Sequence, residues 1–219
     1  MKKTYLNHFH KEHGGYMVDF SGWEMPLHYG SQLTEHLEVR SNVGIFDVSH
    51  MAVFDLTGPE QQEFLRFLLP NDVAKISGET KALYSPLLDE DGGILDDLIV
   101  YSLGQSNFRI ISNCATREQN YDWLRQWGRQ FAVGVNFRSE HSIISLQGPS
   151  AHKHITRLTN NKIAKFELTH DQDMMISGTG YTGENGYEIV SDAISGTKIW
   201  DQFISCLLYT SPSPRDGTK

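Results

Sequence analysis

The amino-acid sequence predicts an α+β protein, with antiparallel sheets covered by helices and arranged as two related units. Three observations carry this expectation. Val53-Phe54-Asp55-Leu56-Thr57-Gly58-Pro59 and Ile143-Ile144-Ser145-Leu146-Gln147-Gly148-Pro149 share one plan, an apolar strand running into Gly-Pro. Each copy is followed by apolar residues at helical spacing. Several other short runs read as strands, and Asp91-Gly92-Gly93 is turn chemistry fit for a hairpin between two of them.

Taken in order, a helix is expected over Ser31–Arg40, with Leu33 and Leu37 facing inward. In both copies of the repeat, Gly is expected at the N-cap and Pro at the first helical position. The first of these helices carries Phe64, Leu65, Leu68 and Leu69. Strands follow at Leu83–Leu88, Ile94–Ser102 and Phe108–Ser112. Thr116 and Gln119 have the spacing of a capping box, which satisfies otherwise unpaired backbone donors. The helix they open runs to Trp127, with Trp123 and Trp127 one turn apart and buried together. Phe131–Phe137 reads as a strand, and the helix after Pro149 sets Ala151, Ile155 and Leu158 on one face. Met174–Ser177 and Tyr187–Val190 are the last strands. The division drawn from these elements is 1–115, 116–205 and a tail at 206–219.

Composition narrows the function. The chain has 219 residues, with 27 acidic against 19 basic side chains and a formal net charge of -8. No basic run is present, which argues against nucleic acid as a partner. No segment is long and apolar enough to cross a membrane. The basic start Met1-Lys2-Lys3 has no apolar h-region after it and no Arg-rich transit pattern, so the expected setting is cytoplasmic. The two cysteines, Cys114 and Cys206, make no disulfide framework and no CxxC. His8, His10 and His13 cluster without the acids or cysteines of a zinc site, so no metal is expected. Serine-hydrolase elbows and Walker loops are absent from the sequence.

Gly178-Thr179-Gly180-Tyr181-Thr182-Gly183 matches G-x-G-x-x-G, but a dinucleotide site needs a helix to open at the third glycine. Here Glu184-Asn185-Gly186 is turn chemistry, and Tyr187-Glu188-Ile189-Val190 alternates like a strand. The loop is instead expected to let backbone approach a flat ligand, with Glu188 able to accept bonds from it. The adjacent acids Asp96 and Asp97 are the second anomaly. Alternation puts Asp97 on a face with Leu95, Ile99 and Tyr101, and Asp96 with Ile94, Leu98 and Val100. Both faces are apolar, so the strand reads as covered on both sides, where a carboxylate is costly unless something bonds to it. Two readings stand. The acids cap backbone amides in the turn after Asp91-Gly92, or Asp97 faces a cavity and meets an N–H of a ligand.

Met17-Val18-Asp19-Phe20-Ser21-Gly22-Trp23-Glu24-Met25-Pro26-Leu27-His28-Tyr29, Val43-Gly44-Ile45-Phe46-Asp47-Val48-Ser49-His50-Met51 and Gly92-Gly93-Ile94-Leu95-Asp96-Asp97-Leu98-Ile99-Val100-Tyr101 sharpen the reading. Together with the Gly180-to-Glu188 loop they closely resemble the aminomethyltransferase family, the tetrahydrofolate-dependent T-proteins of the glycine cleavage system. The resemblance runs from Tyr5 to Ser205. It implies the folate-binding aminomethyltransferase fold. In that family a third, barrel-like domain and an Ala-Arg-Asp motif follow, so the chain reads as an N-terminal fragment with the C-terminal barrel domain missing, and weak or absent turnover is expected of the fragment itself. Residues 206–219 look instead like a translated sequencing adapter.

The resemblance also implies a reaction and a site. An aminomethyl group on the dihydrolipoyl arm of lipoylated H-protein loses ammonia, and tetrahydrofolate captures the carbon as 5,10-methylenetetrahydrofolate. The second aspartate of Leu95-Asp96-Asp97-Leu98 corresponds to the family's catalytic carboxylate, suited to stabilise iminium-like charge and orient the folate. Glu188 corresponds to the carboxylate that takes donors along the pterin edge. Tyr84, Met51, Asn113 and Tyr181 resemble family ligand contacts, and Asp96 is grouped with them as cofactor-binding. Ordinary core or turn roles stay open for these residues. A folate-dependent demethylase and a non-catalytic folate-binding module of the same superfamily are the alternatives. The iron–sulfur-associated branch carries Lys-Gly-Cys-Tyr, which Thr179-Gly180-Tyr181-Thr182 does not match.

Overall fold

The computed structural model describes residues 1–205, and the adapter-like segment at 206–219 lies outside the described residues. In chain order the elements are α1 (Asn7–Glu12), β1 (Tyr16–Phe20), β2 (Trp23–His28), α2 (Gln32–Ser41), β3 (Gly44–Asp47), β4 (Ala52–Thr57), α3 (Gln61–Leu68), β5 (Ala82–Leu88), β6 (Ile94–Ser102), β7 (Phe108–Ser112) and α4 (Arg117–Gly128). They continue as β8 (Gly134–Phe137), β9 (His141–Gln147), α5 (Ala151–Ile155), β10 (Leu168–His170), β11 (Met174–Ser177), β12 (Gly186–Asp192) and α6 (Ala193–Ile204). The fold is α+β, as expected.

The chain forms two compact units, each from separate stretches. One comprises Met1–His50, Glu140–Lys165 and the residues from Thr169 onward; the other comprises Met51–Ser139 with Phe166–Leu168. The division expected at 115/116 falls inside the second of these. The reason is that α4 packs with the strands that precede and follow it, so the chain cannot part there.

The unit around Met51–Ser139 holds a five-stranded sheet in the order β5-β6-β7-β4-β8, all neighbours antiparallel. Its core gathers Phe54, Phe64, Leu65, Leu68, Leu98, Val100, Ile110 and Leu124 from the sheet, α3 and α4. The other unit holds a two-stranded hairpin, β1-β2, and a five-stranded sheet in the order β10-β11-β12-β9-β3. There α6 supplies Ile199, Trp200 and Phe203 to a core with Ile45, Ile144 and Ile189. If β4 to β8 are matched in turn to β9, β10, β11, β12 and β3, the two five-stranded sheets have one strand order. The internal repeat is therefore a repeat of sheet topology.

Several expectations change in detail. Gly58 and Gly148 are not N-caps; the helices begin after Glu60 and Ser150. Both glycines have positive φ, at 102° and 131°, and a Cβ on either would strike a backbone carbonyl, of Ala132 and Asn42 respectively. They are needed for the turn into each helix, not for its cap. Thr116 makes no side-chain cap on α4, because its hydroxyl is taken by Asp96. Leu33 and Leu37 face outward, 70% and 56% exposed, while Glu35 and Val39 are buried. The strand expected from Phe131 starts only at Gly134, since Ala132 turns the chain with φ 49°. Strand β6 is buried at Leu98 and Val100 on one face and at Tyr101 on the other, where Asp97 and Ile99 are half-buried.

Candidate functional site

Strand β6 places Asp96 and Asp97 on opposite faces, as alternation requires. Register then assembles Asp97's neighbours. Pro86 of β5 lies opposite Asp97, and Leu98 lies opposite Ser112 of β7. Continuing the β6–β7 register by one residue sets Asn113 opposite Asp97. Continuing β4–β7, where Ala52 faces Ser112, sets Met51 opposite Asn113. Asp97, Asn113 and Met51 thus share one cross-strand row, and Tyr84 on β5 reaches it diagonally.

The side chains use this row. Tyr84 Oη donates to Asp97 Oδ2 at 2.9 Å. Asn113 Nδ2 donates to Asp97 Oδ1 at 2.9 Å and to Asp96 Oδ1 at 2.7 Å. One amide therefore bridges the two carboxylates from the end of β7. Met51 contributes its carbonyl to Arg117 Nη2 at 3.4 Å.

Asp96 points to the core side and is 8% exposed. The amide-capping role considered for it is filled by Asp89, whose Oδ1 accepts from Gly93 N at 2.6 Å and Asp91 N at 3.0 Å. Asp96 Oδ2 instead accepts from Thr116 Oγ1 at 2.7 Å, Asn120 Nδ2 at 2.5 Å and Asn113 N at 3.4 Å. Sequence reasoning missed Asn120 and the true role of Thr116. The available signal was a helix whose inward positions run Thr116, Asn120, Leu124, polar where an apolar stripe is expected.

Glu188 and Tyr181 belong to the other unit. Glu188 lies on β12 opposite Ser177 of β11 and Ser145 of β9, and is 6% exposed. Its Oε2 accepts from Thr179 Oγ1 at 2.5 Å, and Thr179 Oγ1 lies 2.7 Å from Ser177 Oγ. Tyr181 packs its ring at 6.0 Å from that of Phe46. Buried Gln147 holds the loop between them: its Nε2 donates to the Thr179 carbonyl at 3.2 Å, and its Oε1 accepts from Thr182 Oγ1 at 3.0 Å. A Cβ at Gly180 or Gly186 would collide with the Gln147 amide. The close approach that these glycines permit is thus made to the protein's own glutamine. As the turn chemistry implied, no helix opens at Gly183.

The same unit buries a second polar cluster. His10 Nε2 donates to Asp47 Oδ2 at 2.9 Å, Thr4 Oγ1 donates to the same oxygen at 2.6 Å, and Ser49 N donates to Oδ1 at 3.0 Å. Tyr29 Oη lies 2.6 Å from His10 Nδ1, and the His10 ring stands edge-on to Trp200. His10 is thus a core residue of a hydrogen-bonded cluster, separate in role from exposed His8 and His13. His50 is buried edge-on against Phe20. Among the described residues, no group of three or more His, Cys, Asp or Glu is placed to hold a metal ion. Among them too, no helix is long and apolar enough to cross a membrane.

Known proteins match this framework. The family model of the GCVT N-terminal domain matches residues 6–206. An aminomethyltransferase of Xanthomonas axonopodis pv. citri (strain 306) is 43% identical, over 93% of this chain and 58% of that protein. The glycine cleavage system aminomethyltransferase T of Bartonella henselae has a crystal structure that superposes with a TM-score of 0.89 at 32% identity, over 94% of this chain and 57% of that one. A heterotetrameric sarcosine oxidase of Corynebacterium sp. U-96 shares the fold, with a TM-score of 0.56 at 14% identity over 80% of this chain and 89% of that one. The chain spans a little more than half the length of the two aminomethyltransferases.

Proposed function

We propose, from the premise that this chain belongs to the GCVT N-terminal domain family of aminomethyltransferases, that it serves one-carbon transfer from aminomethyl-dihydrolipoyl H-protein to tetrahydrofolate. The products are 5,10-methylenetetrahydrofolate, ammonia and the freed dihydrolipoyl arm. Tetrahydrofolate supplies the nitrogen nucleophile. The chain's own groups bind, orient and balance charge.

Asp97 is the carboxylate assigned to the reacting carbon. The observation that carries this is the grip on it: Tyr84 Oη holds one oxygen and the Asn113 amide the other, on the half-buried face of β6. A carboxylate fixed by two donors needs little reorganisation when positive charge develops beside it, which is how preorganised electrostatics lowers a barrier. Asp97 also suits proton movement to the departing amine. Glu188, buried and steadied by Thr179, has the acceptor chemistry for the donor-rich pterin edge. Met51 and Tyr181 offer apolar surface to a flat ring. The partner is the lipoylated H-protein, and the setting is the cytoplasm.

The test is Asp97→Asn, which keeps shape and removes charge, in a full-length version of the protein. Ammonia release from aminomethyl-loaded H-protein should fall by about a hundredfold or more, with tetrahydrofolate affinity held within about threefold. Near-normal turnover would remove Asp97 from the reaction. Tetrahydrofolate binding by the unaltered full-length version without any ammonia release would favour a folate-binding module.

A further inference from the structure

We propose that Asn120 and Thr116 of the α4 N-terminal region are positioning residues for the reaction. They act through Asp96 and Asn113 to set the direction of the Asp97 carboxylate. The inference rests on the assignment of Asp97 made above.

The chain of contacts is continuous. Asn120 is 0% exposed and donates to Asp96 Oδ2 at 2.5 Å; Thr116 Oγ1 donates to the same oxygen at 2.7 Å. Asn113 Nδ2 donates to Asp96 Oδ1 and to Asp97 Oδ1, and also reaches the Asp97 carbonyl at 3.2 Å. The Asn120 amide turns Nδ2, its donor atom, toward the Asp96 oxygen. Asn113 also presents its backbone N–H toward Asp96 Oδ2 at 3.4 Å. Three of these donors meet Asp96 Oδ2 and one meets Oδ1, so the carboxylate is engaged on both oxygens by its own chain. The role proposed for it is to hold Asn113, beside the ligand contact expected from the sequence.

This arrangement is expensive as mere packing. Asp96 shares its face with the core residues Leu98 and Val100, where an apolar side chain would avoid burying a carboxylate. The position opposite on α4 carries a buried Asn directly before Leu124 on the same face. What the acid adds, and an apolar residue would not, is an anchor for the Asn113 amide outside Asp97 itself, and at 2.7 Å it is shorter than the bonds to the Asp97 carbonyl and Oδ1. An amide tied to Asp97 alone can move with that side chain; tied also to the buried Asp96, its plane is fixed, and with it the N–H aimed at Asp97.

The experiment follows the Asn113 side-chain amide by NMR in the ¹⁵N-labelled 219-residue chain, alongside ammonia release by a full-length version carrying the same substitution, with tetrahydrofolate and aminomethyl-loaded H-protein. In Asn120→Ala, hydrogen exchange of the Asn113 side-chain amide should quicken by about tenfold or more. Turnover should drop by about tenfold, with KM for tetrahydrofolate changed less than about threefold. If Asn120→Ala fails to fold, Thr116→Val, which keeps side-chain shape and removes one donor, should move both readouts in the same direction by a smaller factor. Unchanged Asn113 exchange in a folded variant overturns the proposal, even if α4 backbone amides loosen. Asp97→Asn separates the two ideas. Normal turnover in that variant sinks the Asp97 assignment itself. A dead Asp97→Asn beside an Asn120→Ala with normal turnover and unchanged Asn113 exchange sinks only the positioning role.

Discussion

Asp47 illustrates how a single buried acid is made tolerable. Burial alone would raise its pKa, but the bond and charge of His10, with bonds from Ser49 and Thr4, outweigh that and bring it down to about 2. An unfolded aspartate titrates near 3.9, so the folded state holds its proton less tightly. The resulting stabilisation is fully present above about pH 4 and is lost as pH falls toward 2, a contribution of roughly 2 kcal/mol by linkage. Asp47→Asn should therefore be less stable than the parent near neutrality, with the gap closing between pH 4 and pH 2 in urea titrations. A gap of constant size down to pH 2 would show that the charge is not what matters. At this scale the sequence told part of the story. Asp97 was singled out because a charged residue on an apolar strand needs partners, and Tyr84 and Asn113 are brought to it. The His10–Asp47 pair was not legible, since 37 residues separate its members and neither sits in a pattern that demands the other. Asn120 was visible only as a polar residue on a helix face that should have been apolar.

Helix α2 shows how periodicity can select the wrong face. Leu33 and Leu37 are one turn apart, but so are Glu35 and Val39, and the second pair is the buried one. Two local bonds decide it. Ser31 caps the helix by accepting from Thr34 N, and Glu35 Oε1 accepts from Tyr29 N at 2.9 Å, which folds the preceding chain against that face. Burial raises the Glu35 pKa, with the Tyr29 and Ser31 backbone bonds opposing it. A hydrophobic pattern cannot anticipate a glutamate used to satisfy a backbone amide. Leu37→Ala should accordingly change stability by less than about 0.5 kcal/mol, while Val39→Ala should cost roughly 1–3 kcal/mol. Equal losses at the two sites in chemical denaturation would put the leucine face back inside. The strands were easier: β6, β7 and β11 occupy the expected residues, because each is bounded by turn chemistry and its apolar run is of strand length. Strand β3 and the β1–β2 hairpin passed unnoticed in segments read for their motifs.

Across the whole molecule, the weak Gly-Pro repeat turned out to mark two sheets of identical strand order. The second was disguised because its fifth strand, β3, precedes the first copy in the chain. A division drawn along the sequence could not see that, since contact, not chain order, decides what folds together. The compact units interleave for the same reason, with Glu140–Lys165 rejoining the N-terminal stretch. Each has its own core: Phe54 is fully buried among side chains of β4–β8, α3 and α4, and Ile144 is buried among those of β9, β12 and α6. Deleting either side chain leaves a cavity that the surrounding strands must absorb. Phe54→Ala should lower amide protection along β4, β6 and β7 by about 3–5 kcal/mol, and along β9 and β12 by clearly less. Ile144→Ala should do the reverse, with a loss of about 2–5 kcal/mol in β9 and β12. Native-state hydrogen exchange resolves both patterns residue by residue. Equal loss of protection in the two sheets from either substitution would mean that the cores unfold as one cooperative body, and the interleaved units would then have no separate thermodynamic existence.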